Sequence, residues 1–348
     1  MKRALITGIT GQDGAYLADF LLKKGYKVYG TYRRTSTPSF WRLQHLRIQD
    51  KITLIPADLT DAGSIANALR ISDPDEVYHL AAQSFVEASF EQPASTADIT
   101  GVSVTRILDA IKVLNPKAKF YQASSSEMFG NGHYKVQNET TPFHPASPYA
   151  AAKVYGYWVT RIYREAHGIF ASNGILFNHE SPLRGLEFVT RKVTNGVAMI
   201  KLGLASKIHL GNLKAVRDWG YAPEYVESMW KMLQLDEPDD FVIASGEHHS
   251  VQELVELAFS GAGMNWEDHV VIDKRLFRPL DIPSLKGDYH KAEQAIGWKP
   301  KTSFSRLVEI MVDADLKRWN DALQGKVFPW DIPGSTNFSS VIKSQAKR

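Results

Sequence analysis

The sequence predicts an α/β protein, a doubly wound parallel sheet carrying a smaller C-terminal lobe. Short apolar runs alternate with stretches of helical periodicity through the first half of the chain. A glycine-rich turn, Gly8-Ile9-Thr10-Gly11-Gln12-Asp13-Gly14, joins the first run to the first helical stretch. Polar residues collect where the apolar runs end, which is where open parallel sheets bind ligands.

Arg3-Ala4-Leu5-Ile6-Thr7 reads as a buried strand, and Ala15 to Leu22 has helical spacing. Strand, glycine turn and helix in that order form the Rossmann phosphate loop. Glycines allow a tight turn and close backbone approach, and the helix N-terminus offers amide donors and a positive dipole end to a pyrophosphate. An ordinary glycine turn would share these letters, so the flanks carry the reading. The next strand, Lys27 to Tyr32, ends in Arg33-Arg34. An acidic residue there would hold the ribose diol of NAD; arginine favours a 2′-phosphate, hence NADP, a solvated basic loop being the alternative.

Further strands are expected at Ile52–Asp58, Glu76–Leu80, Lys119–Ser124 and Ala171–Leu176. Asp58-Leu59, Leu80-Ala81-Ala82-Gln83-Ser84 and Ser124-Ser125-Ser126-Glu127 follow three of them and should converge on one crevice. Residues 1–177 are assigned to the dinucleotide-binding domain, 178–325 mainly to a substrate lobe, and 326–348 to an irregular tail. The chain is expected to return to the sheet through segments near 208–246, notably Asp240 to Gly246.

At 348 residues and 44% hydrophobic, the chain can bury a large core. A net charge of +3, spread among alternating acids and bases, argues against nucleic acid as a partner. With no cysteine there are no disulfides, thiolates or Cys-ligated metals, and no metal site is expected. Neither a signal h-region nor a stretch of membrane-spanning length is present, so a cytoplasmic protein without a membrane partner is expected.

Tyr149-Ala150-Ala151-Ala152-Lys153 supplies the candidate chemistry. A phenol with an ordinary pKa of about 10 is a poor base at neutral pH, and a lysine one helical turn on can stabilise its phenolate while reaching a nicotinamide ribose. Prolines in Pro142-Phe143-His144-Pro145-Ala146-Ser147-Pro148 suit a loop that delivers the helix start to the site. Glu127 stands at a strand end, where a reductase or epimerase needs no carboxylate; a helix-start acid bonded to backbone amides would look the same.

At these residues the chain resembles the extended short-chain dehydrogenase/reductases, and among them the GDP-mannose 4,6-dehydratases. The resemblance runs from about Lys2 to Leu316. It is carried by Ile6 to Gly14, Tyr121-Gln122-Ala123-Ser124, Thr141 to Pro145, Gly174 to Pro182, Phe188-Val189-Thr190-Arg191-Lys192, Leu210-Gly211-Asn212, Arg217-Asp218-Trp219-Gly220 and Gly297-Trp298-Lys299-Pro300. It implies that Tyr149, helped by Lys153 and Ser125, deprotonates the sugar 4-hydroxyl as hydride leaves C4 for NADP. Glu127 then removes the C5 proton and assists loss of the 6-hydroxyl as water, after which the hydride returns to C6.

For the cofactor, the resemblance implies contacts from Gly8, Thr10, Gly11, Gln12, Asp13 and Gly14 at the pyrophosphate. Arg33, Arg34, Thr35 and Ser36 fall at the 2′-phosphate, and Asp58 and Leu59 at adenine. Leu80, Ala81, Ala82, Gln83 and Ser84 fall along the ribose and nicotinamide channel, with His179 and Arg184 near the nicotinamide. Ser84, Ser125, Glu127, Asn178, Lys192, Arg217 and Arg278 fall at the GDP-sugar, where arginine suits phosphate because its planar fork binds two oxygens. A homodimer or homotetramer is also implied.

Four departures from the family pattern stand out. Ser125 replaces a threonine, keeping the hydroxyl but losing the β-branch that restricts χ1. Ser95 occupies a frequent tyrosine position. Phe277-Arg278-Pro279-Leu280-Asp281-Ile282-Pro283 replaces Phe-Arg-Pro-x-Glu-Val-Asp, which bears on nucleotide or sugar identity. Pro38, Phe40 and Trp41 lie in a loop that relatives use between subunits; exposed aromatics would fit an interface, or they cover the local core. Ser126 stands where dTDP-glucose dehydratases carry an acidic aspartate, which favours the GDP-mannose branch. The alternatives are a dehydratase or epimerase of another nucleotide sugar, such as a GDP-heptose, and a non-enzymatic NADP-binding regulator, which should have lost Tyr149 or Lys153.

Overall fold

The computed structural model describes residues 1–132, 134–277, 280 and 282–326. Arg278, Asp281 and the tail from residue 327 lie outside the described residues. Seven parallel strands form the central sheet: β1 (Arg3–Thr7), β2 (Lys27–Tyr32), β3 (Thr53–Pro56), β4 (Glu76–His79), β5 (Lys119–Ser125), β6 (Ala171–Leu176) and, after an excursion, β11 (Phe241–Ile243). Their order is β11-β6-β5-β4-β1-β2-β3, so the winding reverses between β1 and β4, where Thr7 pairs with His79. That reversal opens a crevice beyond the carboxyl ends of both strands.

α1 (Gln12–Lys23) follows β1, burying Leu17, Ala18 and Leu21 against the sheet. A five-residue α2 (Trp41–His45) follows β2, and α3 (Ala62–Ser72) starts at Asp61, whose carboxylate accepts from the Gly63 and Ser64 amides. The β4–β5 crossover contains α4 (Val86–Glu91), α5 (Pro93–Thr96), a π-helical turn at Ala97–Val102, and α6 (Ser103–Leu114). α7 (Pro148–His167) is capped by Ser147, which accepts from the Ala150 amide, has proline at its first position, and ends at Gly168 with φ +65°. One face of α7 is buried, and it carries Tyr149, Lys153, Gly156, Tyr157 and Thr160.

β7 (Asn178–Glu180) pairs with β10 (Trp219–Tyr221) just outside the sheet. α8 (Val189–Lys201), β8 (Ile208–Leu210), β9 (Val216–Arg217), α9 (Ala222–Leu233), β12 (His249–Ser250), α10 (Val251–Gly261), β13 (Val270–Ile272), α11 (His290–Ile296) and α12 (Phe304–Leu323) complete the order. α8, α10, α12 and β8 share an apolar cluster that includes Val193, Val197, Ile208, Leu254, Phe259, Leu307 and Met311. Other clusters flank the two faces of the sheet. Phe40 packs edge-on against Tyr32 with ring centroids 5.1 Å apart, and the Arg42 guanidinium lies 4.3 Å from the Trp41 ring. Phe40 therefore packs on local structure.

Candidate active site

The crevice is a cavity of about 620 Å³, a size suited to an organic ligand. Gly8, Thr10, Gly11, Gln12, Asp13 and Gly14 line one side, with Arg33, Asp58 and Leu59 at the β2 and β3 ends. Leu80 to Ser84 form another wall, and Ser125, Glu127, Tyr149, Lys153, Asn178, His179 and Arg184 close the other end. Arg34, Thr35 and Ser36 are exposed and do not contribute to this lining. Lys192 and Arg217 also stand outside it: Arg217 is buried, its Nη1 donating to the Val216 and Ile282 carbonyls at 2.8 and 2.7 Å. Ser95 lines the cavity, together with Gln92 and Ile99. Pro283 contributes its carbonyl to the Val216 amide at 3.0 Å.

The glycine turn fits a dinucleotide phosphate. Gly8 has φ +72°, and a Cβ there would lie 2.8 Å from the Ala81 Cα; a Cβ on Gly14 would lie 2.4 Å from the Gly8 oxygen. A side chain at Gly8 would close the passage between the β1 and β4 ends, and one at Gly14 would collide with the backbone of the turn itself. The end of β4 is itself fixed: Thr7 Oγ1 accepts from the Leu80 and Ala81 amides, both at 3.2 Å, and meets His79 Nδ1 at 2.7 Å. His79 Nε2 reaches Ser103 Oγ at 3.3 Å. Burial, with Lys153 adding repulsion, pushes this imidazole down to about 3, so it stays neutral.

Residues from β5 and α7 meet at the catalytic end. Ser125 Oγ accepts from the Glu127 amide at 3.3 Å, and its hydroxyl stands near enough to the Tyr149 phenol to favour its ionised form. Glu127 is buried in the 3₁₀ turn Ser126–Phe129 that follows β5. Burial pushes the Tyr149 phenol up to about 12, with the Ser125 hydroxyl opposing and the Glu127 charge adding. Lys153 Nζ donates to the Ala123 carbonyl at 2.7 Å and lies 5.8 Å from the Tyr149 ring centroid. Burial brings its ammonium down to about 8, against the pull of Asp13. The grouping can move protons on a hydroxyl and on a neighbouring carbon, with a phenol and a carboxylate side by side.

The glycine turn is strapped to the segment after β7. Gln12 donates to the His179 carbonyl at 3.1 Å and accepts from Ser181 Oγ at 2.8 Å, while Asp13 Oδ2 meets His179 Nε2 at 2.8 Å. Arg42 bridges the Thr10 and Leu183 carbonyls at 3.0 and 2.8 Å. Arg191 and Arg318 both donate to the Pro182 carbonyl, and the buried Asp315 carboxylate pairs with both guanidiniums. No motif in the sequence assigned a role to Arg42, Arg191, Asp315 or Arg318. Only the spacing of Asp315 and Arg318 on one helix face hints at a pair.

Fold and site together define a dinucleotide-dependent enzyme of the extended short-chain dehydrogenase/reductase class, with a carboxylate added beside the tyrosine and lysine. A family profile described as GDP-mannose 4,6 dehydratase matches residues 5–311. GDP-mannose 4,6 dehydratase 1 of Arabidopsis thaliana is 52% identical over 326 residues, covering 91% of this chain and 90% of that protein. GDP-mannose 4,6 dehydratase of Homo sapiens is 49% identical over 339 residues, covering 90% and 91%. Among solved structures, UDP-glucose 4-epimerase of Thermotoga maritima superposes with a TM-score of 0.81 over 91% of this chain and 99% of its own, at 23% identity, a likeness of fold. The chain belongs to the GDP-mannose 4,6-dehydratase family, and its enzyme class is hydro-lyase. No helix among the described residues is long and apolar enough to cross a membrane.

Proposed function

We propose that this chain converts GDP-mannose to GDP-4-keto-6-deoxymannose and water, with NADP held in the cavity and unchanged after each turnover. The observation that carries the proposal is the meeting of the Tyr149 phenol, Ser125 hydroxyl and Glu127 carboxylate at the cavity end where Lys153 is buried. When bound, NADP would supply the hydride acceptor for C4 and the hydride donor for C6.

Tyr149 takes the proton of the 4-hydroxyl, and Ser125 donates a hydrogen bond to the 4-oxygen. Because burial holds the phenol high, it depends on Lys153 and on cationic surroundings to act as a base. A 4-ketone acidifies C5–H, so Glu127 accepts that proton and delivers it to the departing 6-hydroxyl as water leaves; C5 then takes a proton from solvent, and Tyr149 returns to solvent the proton it took from the 4-hydroxyl. Gly8 to Gly14 receive the pyrophosphate, Arg33 to Ser36 the 2′-phosphate, and Asp58 and Leu59 the adenine. Leu80 to Ser84, His179 and Arg184 line the nicotinamide half. Asn178, Lys192, Arg217 and Arg278 hold the nucleotide and diphosphate of the GDP-sugar. Residues 1–177 with β11 serve the cofactor, and 178–325 mainly the sugar nucleotide.

A homodimer or homotetramer is also proposed, a second copy covering the exposed Tyr155, Trp158 and Ile162 of α7; Trp158→Glu should then shift the sedimenting species toward monomer. The activity is tested by incubating the protein with GDP-mannose and catalytic NADP in deuterated water. A GDP-4-keto-6-deoxy sugar with deuterium at C5 and no net NADPH supports the reading. Unchanged GDP-mannose with a protein that binds NADP overturns the substrate and directs attention to other nucleotide sugars.

A further inference from the structure

His179 lies between two groups that can only accept hydrogen bonds. Its Nδ1 is 2.7 Å from the Phe177 carbonyl oxygen, and its Nε2 is 2.8 Å from the Asp13 carboxylate. Neutral imidazole has one N–H, so it can serve one of these acceptors and must turn a lone pair toward the other. Imidazolium serves both. Tyr225 stacks on the ring with centroids 4.6 Å apart and planes 21° from parallel, an aromatic face that suits a cation.

Asp13 is the second residue of α1, and its side chain is about a quarter exposed, at 24%, where it lines the cavity. A bare carboxylate at the helix start that receives a pyrophosphate would repel it and cancel the favourable end of the dipole. We propose that His179 is a resident imidazolium that neutralises Asp13 inside the phosphate loop, and that tight NADP binding requires the proton on this histidine. The second clause rests on the cofactor site proposed above; the first is a property of the protein alone.

The other charged groups facing the pair are Arg184 from the loop after β7, Arg42 from α2 and Lys153 from α7. Glu180, next in the chain, is occupied by Thr190 and Arg184. Burial disfavours the proton on His179, but Asp13 outweighs it and raises the histidine above its ordinary value. The folded site therefore holds the proton to higher pH than a free histidine would, and loses it as pH rises through the raised value. Above that, an unbalanced Asp13 faces the cofactor and affinity falls.

The first test uses the unmodified protein with ¹⁵N-labelled histidine. Both His179 ring nitrogens should report as protonated at pH 7; a neutral single tautomer there overturns the proposal. The second test titrates NADPH by fluorescence into wild type, His179→Gln, Asp13→Asn and the double variant, with folding checked by circular dichroism. The glutamine side chain keeps a donor toward Asp13 but removes the charge, so His179→Gln should weaken binding roughly tenfold or more, and adding Asp13→Asn should restore it to within about threefold of wild type. Wild-type affinity in His179→Gln, or a double variant as weak as the single, overturns the link to NADP. Failure of the wild type to bind NADPH overturns the cofactor reading instead, and the nitrogen signals still decide the charge state.

Discussion

Replacing Asp315 with asparagine should destabilise the chain and loosen the site together. Asp315 is fully buried; its Oδ2 accepts from Arg191 Nε at 3.1 Å and Thr194 Oγ1 at 2.7 Å, and its Oδ1 accepts from Arg191 Nη2 at 2.9 Å and from Arg318. An asparagine would turn an amide donor toward guanidinium donors and leave two buried cations without their shared counter-charge. Removing one side of such a pair costs about 3–5 kcal/mol. For a chain of this length that corresponds to a drop of roughly 4–7 °C in melting temperature. Arg191 and Arg318 also hold the Pro182 carbonyl, two residues before the cavity-lining Arg184, so NADPH affinity should fall as well. Thermal melts followed by circular dichroism, with NADPH titration on the same samples, provide the assay. A variant melting within about 1 °C of wild type would refute the view that this carboxylate holds the network together.

Gly14→Ala should abolish detectable NADPH binding in a chain that still folds, because its Cβ would lie 2.4 Å from the Gly8 oxygen; retained affinity in a fluorescence titration would contradict the fit. Glu127→Gln should lower turnover by roughly 10²–10⁴-fold while leaving oxidation at C4 possible, seen as enzyme-bound NADPH absorbance on mixing with GDP-mannose. Normal turnover in that variant would remove Glu127 from the elimination step. His79 should make the fold acid-labile: neutral in the folded chain down to about pH 3, it protonates near 6.5 when unfolded, so stability is lost as pH falls from 6.5 toward 3. The loss attributable to it at pH 5 is about 2 kcal/mol. Urea unfolding of His79→Asn should show a correspondingly smaller difference between pH 7 and pH 5, and an unchanged difference would sink this assignment.

Local patterns made the parallel sheet legible. The run Arg3–Thr7, the glycine turn and the helix after it are adjacent in sequence, and each apolar run ends in the polar residues that line the cavity. Ser125, Glu127, Tyr149 and Lys153 are brought together because β5 and α7 start or end at the same edge of the sheet. Strand ends were less sharp: the stretch Ile52–Asp58 narrows to Thr53–Pro56, because the ladder with β2 closes where the Ala57 amide bonds back to the Tyr32 carbonyl and Asp58 turns to hold Thr60. What sequence could not display is pairing between distant segments. Asp13 and His179 are 166 residues apart, and Arg191 and Asp315 are 124 apart. Arg42 sits in a five-residue helix with no periodicity of its own, and only tertiary packing places it between the Thr10 and Leu183 carbonyls.

In the proposed reaction one bound cofactor carries a hydride from C4 to C6 of the same sugar while Glu127 eliminates water between them. The decisive experiment turns over GDP-mannose labelled with deuterium at C4 in the presence of catalytic unlabelled NADP. Internal transfer requires a GDP-4-keto-6-deoxy product with the deuterium at C6 and none released to solvent or to free NADPH. Product without deuterium at C6, or stoichiometric release of labelled NADPH, would contradict it.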